Sequence, residues 1–307
     1  MKKIVIFAAA LAAAFTLASC NKEGKKGQPI EYETPVYSDI AVKFEIDKTI
    51  INDGLNGAKK YNSFEVTETG EYIIVDKDGT KTGIINNLDE IKGKEKGESK
   101  TFECKNFGKV ELEVATKAEG DITLIFKPDG EVPISLTATP VETSETINKE
   151  FLKKICRKWK ITDTTISASG GDLPSTLGVA KNFKGCDFSK IKDYLEDKSG
   201  KKINMGDISK YVVDYLQVTG CGTFNVVFTN GEAVAADLEL ITTDKNTATI
   251  DYEVSGEQPG IAIFNGKAKG VISFDEKGNC SIEVNANVDV NNDEYKGKVV
   301  FLVSKID

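Results

Sequence analysis

Histidine is missing from all 307 residues of this chain. Its absence removes the commonest general base, the commonest metal ligand and the usual partner of a catalytic serine or cysteine. Ser/His/Asp and Cys/His arrangements are therefore excluded outright. Cysteine is scarce and scattered, at positions 20, 104, 156, 186, 221 and 280, and no two form a C-x-x-C pair. Spacing of that kind does not make a structural zinc site. No glycine-rich phosphate loop appears, and beyond residue 20 no apolar run is long enough to cross a bilayer as a helix. Positive charge is in the minority, 40 Lys and Arg against 48 Asp and Glu, which gives no electrostatic reason to bind nucleic acid. The sequence thus implies no cofactor and no metal. Paired carboxylates are the one catalytic device left open, and among so many acids such pairs arise everywhere by chance.

What is present begins at the N-terminus. Lys2 and Lys3 precede an apolar run over residues 4–17, too short for a good membrane span and laid out as a secretory signal. The run ends in Leu17-Ala18-Ser19-Cys20, which resembles the lipobox of bacterial lipoproteins. In that family the cysteine at this position is acylated and becomes the new N-terminus, so the resemblance implies lipidation at Cys20, a membrane partner through that lipid, and a place in the cell envelope. It implies the outer membrane ahead of the inner and leaves the face open. Without residues 1–19 the balance is 38 basic to 48 acidic side chains, a charge of −10. Residues 20–35, polar with Gly and Pro, read as a flexible tether.

The remaining length favours two domains. Over 36–140 the text is strand-like: "IAVKFEI" alternates, "SFEVTETGEYIIV" and "TFECKNFGKVELEV" are strand–turn–strand, and "DITLIFKPDGEVPISLTAT" adds two more. Short strands separated by turn signals predict an antiparallel sandwich or barrel. "IKGKEKGESK" reads as a charged, solvated hairpin tip. Periodicity fails across 137–145, the predicted boundary, and the second domain is expected over 146–307. It opens with "TINKEFLKKICRK", where Ile147, Phe151, Leu152 and Ile155 share a helical face. "WKITDTTIS" then returns to strand. "CDFSKIKDYLEDKSG" predicts a helix capped by Asp187 and ended by Gly200, with a second short helix after Asp207. About seven more strands follow from Tyr215.

Two local patterns bear on chemistry. Asp289, Asn291 and Asp293 occupy positions 1, 3 and 5 of a calcium loop, but Glu294 stands at position 6 and Val300 at position 12, so a hairpin turn is predicted. The five later cysteines allow a disulfide, with Cys156 and Cys186 as the candidate pair beside predicted helix ends; buried reduced thiols are the equal alternative. "VTETGEYIIVDKDG" and "VTGCGTFNVVFTNG" match at a constant offset of 152 residues, the mark either of a duplication or of two common glycine-turn hairpins.

Trp159, the lone tryptophan, stands just after the predicted helix at the start of a strand. With about seven antiparallel strands to follow, roughly eight in all, this resembles the lipocalin plan, although Arg157 takes the place of the signature glycine and the helix comes early. Together with the lipobox, "CRKWKITDTTIS", "KGCDFSKIKDYL" and "VTGCGTFNVVFTNG" resemble the lipocalin-like lipoproteins of Bacteroidetes. The expected fold class is mainly β: two antiparallel domains, the second a lipocalin-like barrel with a short helical insertion. Trp159 is the side chain expected to close that barrel at one end, its indole N–H on a backbone carbonyl or a polar neighbour; the alternative is one more core aromatic in a sandwich. The resemblance implies a non-enzymatic envelope lipoprotein with a calyx for a small hydrophobic ligand, no residue of which it identifies. The alternatives are an interaction protein with filled barrels binding an envelope protein or a glycan, and a carboxylate-dependent hydrolase.

Overall fold

The computed structural model describes residues 30–47, 60–92, 98–114, 122–141, 147–170, 175–200, 210–237, 239–258, 262–290 and 293–306. Cys20, the leader, residues 142–145 of the expected boundary and the helix expected after Asp207 lie outside them; residues 137–141 of that boundary continue a strand. No helix among the described residues is long and apolar enough to cross a membrane.

The chain is mainly β, as its alternation demands, and its strands close on themselves twice. The first circuit runs β1 (Val42–Ile46), β2 (Tyr61–Val66), β3 (Glu71–Asp76), β4 (Gly79–Ile84), β5 (Lys100–Cys104), β6 (Gly108–Val114), β7 (Ile122–Pro128) and β8 (Ile134–Val141). Each strand is antiparallel to the next, and β8 returns to β1 with Phe44 opposite Pro140. Between β4 and β5 the ladder is carried by the Ile85–Cys104 bridge and by Asn86 N–H on Glu103 O at 2.9 Å. In β7 Leu124 and Phe126 point inward and Thr123 and Lys127 outward, the period-2 pattern of a half-buried strand. The interior is filled by rings: Tyr61 stacks on Phe126 at 4.2 Å, Phe64 lies 5.4 Å from Phe102, and Phe107 sits edge-on to Phe126.

The second circuit comprises β9 (Lys158–Gly170), β11 (Val213–Val218), β12 (Thr223–Phe228), β13 (Ala233–Asp237) continued by β14 (Leu240–Thr242), β15 (Thr247–Gln258), β16 (Ala262–Phe274), β17 (Cys280–Val290) and β18 (Asp293–Lys305). β18 closes on β9 from Trp159–Lys305 at one end to Gly170–Tyr295 at the other. Counting β13 and β14 as one line, both circuits have eight strands. A short β10 (Lys181–Lys184) lies along β9, and the chain from it back to β11 carries the helical insertion.

Three α-helices among the described residues serve the barrels. α1 (Leu88–Lys92) runs into the first two residues of what the sequence presents as a charged tip and buries Leu88 and Ile91 in the first core; residues 93–97 of that tip lie outside the described residues. α2 (Lys149–Ile155) is capped by Asn148, whose side chain accepts from the Glu150 and Phe151 N–H groups. α3 (Phe188–Ser199) starts at Asp187 and stops at Gly200, which adopts the left-handed conformation that glycine permits. α2 lies at the mouth of the second barrel, burying Phe151 and Ile155 completely. Behind it Trp159 is fully buried, 5.9 Å from the Phe274 ring, and donates its indole N–H to Ile155 O at 3.0 Å.

The segment expected as tether is partly fixed. Ile30 N–H bonds Lys277 O at 2.7 Å and the Tyr32 hydroxyl donates to Gly278 O. The Tyr32 ring packs 5.5 Å from Phe274 and 6.1 Å from Trp159, under the guanidinium of Arg157 at 4.9 Å. A ring with this much apolar area to bury does not stay in a flexible linker. The strap therefore finishes the cap of the second barrel before the chain enters the first.

Candidate functional site

Several buried residues belong to neither barrel core. Ile73, Val227, Ala233 and Ala235 are buried with Lys43, Glu65, Glu71, Gln217, Thr223 and Asn225. They lie on the outer faces of β1, β2, β3, β11, β12 and β13, where the two barrels meet. The sheets also join directly: Ala233 of β13 is antiparallel to Thr80 of β4, whose hydroxyl accepts from Ala235 N–H at 3.0 Å.

The seam is built from the two matching hairpins. The β2–β3 turn and the β11–β12 turn share their hydrogen bonds. Thr67 N–H reaches Glu71 O at 2.9 Å and Gly70 N–H reaches Thr67 O at 3.1 Å; Thr219 N–H reaches Thr223 O at 3.0 Å and Gly222 N–H reaches Thr219 O at 3.1 Å. Both glycines have positive φ, +88° and +83°. The turns then grip each other. Gln217 Nε2 donates to Thr69 Oγ1 at 2.9 Å, Glu71 Oε2 at 3.0 Å and Thr67 Oγ1 at 3.2 Å. Glu65, at the equivalent position in β2, is hydrogen-bonded by Thr219 and Thr223. This reciprocity, in which each residue meets the partner of its own equivalent, is the contact pattern of a two-fold interface.

Charges cross the seam in both directions. Lys158 of β9 pairs with Glu71, and the buried Lys43 of β1 pairs with the mostly exposed Asp237, which also accepts from Thr223 Oγ1 at 3.2 Å. Glu68 accepts Gly220 N–H at 2.7 Å. Burial pushes the Glu65 carboxyl up to about 7 against the pull of Thr219 and Thr223, with Glu68 adding to the rise and Lys43 opposing it. Burial raises Glu68 as well, opposed by backbone hydrogen bonds and the Cys156 thiol. Asn225 Oδ1 is buried with no partner among the described residues.

The expected pairing of Cys156 with Cys186 is not formed, and no disulfide exists among the described cysteines. The two thiols serve different places. Cys156, at the end of α2, faces the seam near Glu68, whereas Cys186 is buried before α3, where its carbonyl accepts Val213 N–H. Burial drives both thiols up, Cys186 to about 12, which keeps them protonated and unreactive.

Chemically the seam holds protons and joins surfaces. The carboxyls of Glu65, Glu68 and Glu71 and the thiol of Cys156 are buried there, and among the described residues no group of three Cys, Asp or Glu side chains is arranged to hold a metal. Neither Glu65 nor Gln217 is marked by its own sequence context. Their signal in the sequence is the repeated motif, whose two copies are the pair of turns that meet here.

No family model matches the chain, and no curated protein matches it. Among solved structures it is similar to a "putative outer membrane protein" of Bacteroides fragilis, with 8% identity over 87% of this chain and 98% of that one and a TM-score of 0.29. A structural-genomics protein of unknown function from Bacteroides ovatus aligns with 8% identity over 87% of this chain and 82% of that one, at a TM-score of 0.18. Likeness at that level carries no functional argument.

Proposed function

We propose that this chain is a lipid-anchored protein of a bacterial cell envelope, held by acylation of Cys20, that acts without catalysis as a two-barrel interaction body. The leader and the Leu17-Ala18-Ser19-Cys20 run support the anchor. The observation that carries the rest is that the described barrel interiors are occupied by the protein's own rings: Tyr61, Phe64, Phe102 and Phe126 in one, Phe151, Trp159 and Phe274 under the cap of the other. A filled barrel recognises partners with its outside, so the partner is another envelope component, a protein or a glycan.

A second reading keeps the lipocalin-like calyx for a small hydrophobic molecule. What favours it is strand length: β15 to β18 have 11 to 13 residues, against 5 to 8 in the first barrel. At about 3.3 Å per residue they extend well past the ring-filled end.

Replacing Cys20 by Ser should leave the protein unacylated and released from membranes; persistent membrane association would sink the anchor. Native mass spectrometry on gently extracted protein separates the two readings, a bare polypeptide-plus-anchor mass supporting filled barrels and a retained extra lipid supporting the calyx.

A further inference from the structure

We propose that the α2-capped end of the second barrel is the face this protein turns to the bilayer, lying against lipid headgroups while the β15–β16 and β17–β18 tips point away. The inference rests on the lipidated Cys20 of the proposed function and adds an orientation to it.

The strap is fastened at the capped end. Ile30 is bonded to Lys277 O, Tyr32 to Gly278 O, and Arg157 Nη2 donates to Glu33 O at 2.9 Å. All three contacts lie on the turn between β16 and β17 or at the end of α2, the elements that close the barrel around Trp159. Only ten residue steps separate Cys20 from Ile30. Fully extended they span at most about 36 Å, and as a coil about 17 Å. The opposite tips, at Gln258, Val290 and Gly170, stand up to 13 residues away along the strands, roughly 40 Å of β-structure. A lipid on Cys20 therefore keeps the capped end near the membrane and the far tips out of ordinary reach.

The capped end is also suited to a headgroup layer. Ile30, Ile241 and Ile306 are each more than a third exposed there. Ile241 is next to Thr242, whose hydroxyl accepts from Asn148 N–H at the start of α2, and Ile306 N–H bonds Lys158 O. Lys149, Lys153 and Lys154 of α2 and nearby Lys245 stand among the acids of this end, Glu31, Glu150, Asp244 and Glu276. Apolar tips between long amine side chains can settle at a water–lipid boundary, where lysine stems lie along apolar surface and their charges stay wet.

The test uses the full, processed protein in liposomes of phosphatidylethanolamine and phosphatidylglycerol carrying a headgroup nitroxide. In a Cys221→Ser background, which removes the one described thiol that is not buried, a fluorophore is placed at Glu276→Cys or Lys149→Cys at the capped end, or at Ser169→Cys near the far tips. Expected is loss of most of the emission at positions 276 and 149 and none above background at 169. Equal quenching at both ends, or stronger quenching at 169, overturns the orientation. Intact mass is measured on the same samples. An unacylated mass overturns the anchor and the orientation together, whereas an acylated protein quenched equally at both ends overturns the orientation alone. A Tyr32→Ala variant, folded by circular dichroism, should lose the difference between the ends, since the strap that fixes it is gone.

Discussion

Glu65 and Gln217 hold the same place in two hairpins 152 residues apart, and each hydrogen-bonds to the turn of the other. Their neighbours across the strand are Ile73 and Asn225, again 152 residues apart. The two barrels are thus joined by a repeated element meeting itself, with a carboxyl on one side and an amide on the other.

Gln217→Ala should cost about 2 kcal/mol. Its amide serves Thr67, Thr69 and Glu71, and removing it deletes these bonds across the buried seam while Thr67, Thr69 and Glu71 keep one another as partners. Urea denaturation measures the loss. A change below about 0.5 kcal/mol, the size of an ordinary surface substitution, would mean that the amide holds nothing together.

Stability should fall as pH rises from about 4.5 to about 7. In the unfolded chain Glu65 ionises near 4.5, while in the fold burial keeps its proton until about 7. Between those values the native state binds the extra proton, so its contribution is fully present below 4.5 and lost as pH passes 7. The difference corresponds to about 3 kcal/mol. Glu68, raised for the same reason, acts in the same direction. Glu65→Gln, which copies the Gln217 side of the seam, should flatten much of this slope and stabilise the protein at pH 8. A slope unchanged in the variant would assign the proton elsewhere.

Gly278→Ala should loosen the strap. At φ +81° the new Cβ is strained by its backbone and would sit 2.9 Å from Ile30 O and 3.2 Å from the Tyr32 ring. The lone tryptophan reports on this directly: buried Trp159 should emit at short wavelength in the parent and shift to the red in Gly278→Ala and Tyr32→Ala. Unshifted emission would show that the cap holds without the strap.

In native protein a thiol reagent should modify Cys221 and spare Cys104, Cys156, Cys186 and Cys280, which are buried. Burial raises the thiols of Cys104 and Cys186 to about 12 and lifts Cys156 and Cys280 in the same sense. In guanidinium without reductant all five should react. Mass spectrometry counts the adducts, and a count of three or fewer after unfolding would reveal a disulfide.

The strands and helices could be read from the sequence because their causes are local. "SFEVTETGEYIIV" alternates around a glycine turn and becomes β2 and β3; Asp187 and Gly200 bracket α3 as their chemistry prescribes. The seam could not be read, because alternation says only that Glu65 and Gln217 face out of their own barrels. What lies outside is a second barrel whose residues are some 150 positions away, and a polar side chain bound for a buried partner looks the same in sequence as one bound for water. β10 and α1 were missed for a related reason: both are short, and α1 hides Leu88 and Ile91 in a run of charges. Tyr32 reads as tether because its sequence neighbours are polar and its partners, Trp159 and Phe274, are distant in the chain.

The strap also sets an order of assembly. Tyr32 leaves the ribosome 246 residues before Gly278, on whose carbonyl its hydroxyl closes. The first barrel can finish folding while the second is still being made, but the earliest-made aromatic of the body must wait for one of the last hairpins. Closing so long a loop is slow, and until it closes Trp159 and Phe274 lack their cover. A nascent or truncated chain therefore presents its greasiest end last, at the place where a chaperone would have to hold it.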